Sequence, residues 1–192
     1  VELALERTQG LKSDRAGIEA QEARRTGRVL GARFLEDPSQ TDLKKGLSEL
    51  PKSQEKAARE GAVEALLARI QLPRDKDSLP PLQAVAAGLG ALSPGLGADK
   101  RALAIAKDLQ AFMERYLEDA SQMEEGLARQ YAPKLRQKEQ EMSRRTGQDV
   151  RIDPRRDPEF LALLSRGMSQ LKGQYQEALD RAKEDMKAMC LG

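Results

Sequence analysis

A chain of 192 residues with 33 Lys plus Arg against 31 Asp plus Glu, and a formal net charge of +2, has the size of one domain or of two small helical modules. Charged residues make up 33% and hydrophobic ones 39%, which is too charged for a membrane protein and apolar enough to bury a core. The balance also holds locally, at +1 over residues 1–97 (15 basic, 14 acidic) and +1 over residues 98–192 (18 and 17), so neither half is the strongly basic body of a dedicated nucleic-acid binder.

The residue types predict helices throughout. Five Val, four Ile and four Thr are too few for a sheet, and Val150-Arg151-Ile152 is the only local alternation. The first predicted helix runs to about Phe34, with Ala16, Ala20, Ala23, Gly27, Leu30 and Phe34 on one small-residue face, and Asp37-Pro38-Ser39 breaks it. A short helix follows, with Thr41 as its expected N-cap and Leu43, Leu47 and Leu50 as its stripe. Pro51 starts the next, expected to reach about Leu72 with Ala58, Ala62, Ala65, Leu66, Arg69 and Ile70 near one face. After a polar loop at 73–77, Pro80-Pro81 opens a short apolar helix to Leu92. Ser93-Pro94-Gly95-Leu96-Gly97 is the strongest break, and it suggests residues 1–97 as a short-helix half and 98–192 as a second, unless the two form one continuous domain.

From about Asp99 the pattern becomes a heptad seam: Ala102, Ala106, Leu109, Met113, Tyr116, Ala120, Met123 and Leu127, broadened by Leu103, Ile105, Phe112 and Leu117. Pro133 is expected to kink this helix or to end it. Lys134 to Arg145 is very polar, and the segment from Thr146 to Pro158 is a loop. A last helix from Pro158 carries a second seam: Leu161, Leu164, Met168, Leu171, Tyr175, Ala178, Ala182, Met186 and Met189. The expected fold is all-α, a multi-helix bundle with a long antiparallel coiled-coil-like helical hairpin in the C-terminal half.

Function is less legible. There is no histidine, which removes Ser-His and Cys-His nucleophile pairs and His-based metal sites, and the single Cys190 allows no thiolate cluster and no internal disulfide. The expectation is therefore a protein that is not an enzyme, with no cofactor and no metal, in the cytoplasm. No apolar stretch reaches the length of a membrane span, and no signal peptide is visible, although Val1 reads as mid-pattern and leaves room for a lost targeting segment. Gly88-Leu89-Gly90 and Gly95-Leu96-Gly97 lack the preceding strand and the Lys-Ser/Thr pair of a phosphate loop, so they read as close-approach and loop glycines. Glu124-Glu125, Glu139 and Glu141, with Asp149 or Asp153, lack any EF-hand spacing and read as exposed charge. Met113, Met123, Met168, Met186 and Met189 read as core rather than as an adaptable groove.

The feature that stands out is Arg144, Arg145, Arg151, Arg155 and Arg156, crowded near the expected hairpin tip with Asp149, Asp153 and Asp157 interleaved, leaving 144–157 at +2. Guanidinium groups pair bidentately with carboxylate or phosphate, so these five are the candidate partner contact, set against a solvated loop of local Arg–Asp pairs. The two seams call for a protein partner or a homodimer, and the expected role is a helical scaffold, adaptor or assembly component. The alternative is a nucleic-acid- or ribonucleoprotein-associated protein using the tip, weakened by the interleaved acids and the lack of an aromatic residue for base stacking.

Overall fold

The computed structural model describes residues 2–95 and 97–192, with side chains from Gln9 onward. Val1 and Leu96 lie outside the described residues, and with them the mid-pattern start and the centre of the 93–97 break. Among the described residues the protein is all-α: α1 (Glu2–Glu36), α2 (Leu43–Ser48), α3 (Lys52–Ala68), α4 (Leu82–Leu92), α5 (Ala98–Thr146) and α6 (Pro158–Leu191), with 3₁₀ turns at Lys76–Ser78 and Pro154–Arg156. No described helix is long and apolar enough to cross a membrane.

The small face of α1 brings it into backbone contact with α3. A Cβ on Gly27 would lie 1.7 Å from the Ala58 carbonyl oxygen, and one on Gly61 would lie 1.9 Å from that of Arg24. Gly27 meets Ala58 and Gly31 meets Ala62, while Arg24 pairs with Glu60 and Arg28 with Glu64 at 2.8 Å. Both sets advance by four on each helix, so α1 and α3 run parallel, and the start of α3 falls level with residues 16–21. Ala23, Gly27 and Phe34 are accordingly buried, whereas Ala16 and Ala20, at or beyond that end, are exposed.

The N-cap of α2 is Asp42 rather than Thr41. The Asp42 carboxylate accepts the Lys45 N–H at 3.0 Å, while the Thr41 hydroxyl turns back to the Arg33 carbonyl at the end of α1. α3 stops at Ala68, short of the expected Leu72, and Ile70 still packs fully buried just past its end. α4 is apolar nearly all round because it is covered nearly all round: Gly88 abuts Leu66 and Phe34, and Gly90 abuts Ala98 and Ala102.

One apolar cluster runs from Ala23 through α2, α3 and α4 to Leu109 and Met113 of α5 and Leu179, Met186 and Cys190 of α6, joining residues on both sides of the 93–97 break. The Cys190 thiol lies 3.5 Å from the Leu89 carbonyl and 3.6 Å from the Ser93 hydroxyl, and burial pushes its pKa up.

Beyond that cluster α5 and α6 continue side by side. Phe112 and Tyr116 pack against Tyr175 with their rings steeply inclined to it, Met123 and Leu127 meet Gly167, Tyr131 meets Phe160, and Lys138 meets Asp157. Residue numbers rise on one helix as they fall on the other, so the pair is antiparallel. Pro133 neither ends nor interrupts α5, whose 49 residues span about 74 Å. The covered face of α6 is Phe160, Leu164, Met168, Leu171, Tyr175, Leu179, Ala182, Met186 and Cys190, while Leu161 (43% exposed) and Ala178 turn outward. Its steps of 4, 4, 3, 4, 4, 3, 4 and 4 follow an eleven-residue repeat. At 3.6 residues per turn, eleven residues overshoot three turns by about 20° and seven fall short of two turns by about 20°, so this stripe drifts in the opposite sense to a heptad and more slowly per residue. Leu103, expected to broaden the α5 seam, is 73% exposed.

Candidate partner-contact site at the hairpin tip

α5 ends where Gly147 takes φ +70° and its N–H closes on the Ser143 carbonyl at 2.8 Å. The chain then folds back along α5 instead of projecting. The Val150 N–H donates to Ser143 Oγ, the Ile152 N–H to Glu139 Oε1 (both 2.9 Å), and Arg155 reaches Glu124 at 3.0 Å. Asp153 caps the short 3₁₀ turn by accepting the Arg155 N–H.

This return path divides the five arginines. Arg144 and Arg145 sit on the last turn of α5, with Arg145 paired to Glu141. Arg151 lies beside that turn, 80% exposed and only loosely paired, at 3.9 Å from Glu139 and 3.8 Å from Asp149. Arg155 is carried back to Glu124, 17 residues and about 25 Å along α5 from the Glu141 partner of Arg145. Arg156, next to it on the 3₁₀ turn, is exposed. The residues that do converge are Arg144 and Arg151, joined by Arg136. They line one groove of about 420 Å³ with Glu139, Gln140, Ser143, Asp149 and Val150. Among the described residues, Arg136 and Arg144 have no ion-pair partner.

The acidic residues near the tip are engaged with cations or N–H groups: Glu125 with Arg129, Glu139 with the Ile152 N–H, Asp149 with Arg151, Asp153 with the Arg155 N–H. Among the described residues no three His, Cys, Asp or Glu side chains gather in a metal-holding group.

Below the groove lies a polar lock. Asp157 is the N-cap of α6, accepting the Phe160 N–H at 3.2 Å, and it is buried. The Tyr131 hydroxyl donates to it, and Lys138 Nζ donates to its other oxygen at 2.9 Å. Glu159 pairs with Lys134 at 2.6 Å and with Lys138 at 3.5 Å. The Tyr131 hydroxyl and the Lys138 ammonium hold the Asp157 pKa down at about 2, and the same Tyr131 and Asp157 contacts raise that of Lys138. Farther down, burial and a hydrogen bond to Asp119 push Tyr175 up to about 12. In the sequence Asp157 stands out only as an interleaved acid, although Asp directly before Pro158 is a helix-start signature. Tyr131 and Lys138 give no such signal, and Arg136 is submerged in the polar run of 134–145.

No curated protein and no solved structure matches the chain. Residues 44–188, about three-quarters of the 192, match the model of a family of unknown function, DUF6657; the match runs from α2 almost to the end of α6, and the chain belongs to that family.

Proposed function

We propose that this protein is a non-enzymatic helical scaffold or adaptor that works through protein–protein contacts, with the α5–α6 arm as the contact element. The supporting observation is surface. The protein exposes 13,516 Å², where a compact protein of 21.2 kDa exposes about 9,000 Å². Most globular chains of this length bury that difference in their own core, and a protein built to be covered by partners does not. The excess lies in elements that leave the core: the arm beyond Tyr116 and Leu179, where Met123, Leu127, Leu135, Leu164, Met168 and Leu171 are covered from one side only, and residues 9–20 of α1. The lack of histidine argues in the same direction, since no neutral-pH base of the usual kind is present. The lone cysteine fits a cytoplasmic setting.

The test is an affinity pull-down from native extract with wild type and with Arg144, Arg145, Arg155 and Arg156 changed to Gln, each with and without nuclease. Stoichiometric protein partners that survive nuclease support the scaffold, and their loss in the variant assigns the contact to the tip. Nucleic acid recovered by wild type and lost in the variant replaces this reading with ribonucleoprotein association. A homodimer as the partner is read separately, from sedimentation equilibrium of the pure chain.

A further inference from the structure

We infer that the groove between the last turns of α5 and the returning 148–152 segment is a docking site for an acidic segment of a partner protein, held through carboxylates by Arg136, Arg144 and Arg151. Arg136 and Arg144 stand about two turns apart on α5, with Gln140 between them on the same wall. Arg151 joins the groove from the returning segment, so three arginines line one space of about 420 Å³. Arg136 and Arg144 have no ion-pair partner among the described residues, and Arg151 keeps its two acidic neighbours only at 3.8 and 3.9 Å. Each therefore has N–H donors to offer a carboxylate bidentately without breaking an existing tight pair.

The rim decides which polyanion fits. Asp149, with its side chain 83% exposed, interrupts the positive surface, while the Glu139 side chain, only 15% exposed, lies within the wall. A continuous phosphate backbone must pass over the Asp149 carboxylate, whereas a peptide can place its acidic side chains opposite the arginines and neutral ones opposite Asp149. No aromatic residue lines the groove for base stacking. The groove walls are also held in place from within: Ser143 Oγ and Glu139 Oε1 accept the Val150 and Ile152 N–H groups, so the cleft does not have to be assembled on binding.

Docking in this groove rests on the contact-surface reading above but fails separately from it. The full chain is titrated, by fluorescence anisotropy, into a labelled peptide of alternating Glu and Gly and into a labelled oligothymidylate of equal charge, at about 50 mM and about 200 mM salt. The variants are Arg136→Gln/Arg144→Gln/Arg151→Gln and, as an off-groove control of exposed α1 residues, Arg15→Gln/Arg33→Gln. The expected result is saturable peptide binding by wild type that weakens with salt, falls about tenfold in the groove variant and stays within about twofold in the control. Absence of peptide binding at the lower salt, or equal binding by the groove variant, overturns the inference. So does tighter binding of the oligonucleotide through the same arginines, which assigns the groove to nucleic acid. In the first two cases, extract partners that survive nuclease still leave the scaffold reading standing.

Discussion

At the residue scale, two contacts carry consequences beyond their size. Asp157 caps α6, neutralises Lys138 and accepts from Tyr131, all while buried. Its folded pKa of about 2 lies below the ordinary 3.8, so the stability it contributes is complete above about pH 4 and is lost as pH falls toward 2. Urea unfolding across that window is expected to show the loss in wild type and a flatter profile in Asp157→Ala, which is also about 2 kcal/mol less stable at neutral pH. The second contact is the α1–α3 crossing. Gly27→Ala puts a methyl 1.7 Å from the Ala58 oxygen, and the helices must separate, at a cost of at least about 3 kcal/mol. Gly17→Ala, with nothing within 4 Å, is expected to raise stability by up to about 1 kcal/mol, and thermal melts of the two variants read both signs. Gly27 was legible as part of a small face. Its contact distance was not, because nothing local says which helix will lie against it.

At the scale of elements, the helical segments were legible from breaks and apolar spacing, with Pro51 and Pro81 directly before α3 and α4 and Pro158 opening α6, while the end of α3 and the continuity of α5 through Pro133 were not. The facing of α6 was not. A heptad reading selects Leu161 and Ala178, and the folded helix covers Phe160 and Leu179 instead, along an eleven-residue stripe whose slow drift runs opposite to that of a heptad. Phe160→Ala is therefore expected to cost about 3–5 kcal/mol and Leu161→Ala less than about 1 kcal/mol in chemical unfolding; the reverse order restores the heptad facing. Within α5, Pro133 cannot donate to the Arg129 carbonyl, so Pro133→Ala is expected to raise the midpoint of thermal unfolding, adding up to about 3 kcal/mol.

For the whole molecule, the 49-residue α5 sets the shape. A compact chain of this length has a radius of gyration of about 16 Å, and a helix of about 74 Å running past the core forces a larger value. Small-angle scattering is expected to give more than about 20 Å; a value near 16 Å means the arm folds back onto the core. The all-α class and the absence of histidine were legible in the sequence alone, because helix propensity and residue inventory are local properties, whereas the continuity of α5 through Pro133 was not. Three things were decided only by the tertiary structure: the apolar cluster that joins residues on both sides of 93–97, the lock around Asp157, and the division of the arginines. Each depends on which surfaces meet after the chain turns back. The loop after Gly147 returns along α5 because Ser143 and Glu139 capture its N–H groups, and that path carries Arg155 and Arg156 away while bringing Arg151 to Arg136 and Arg144.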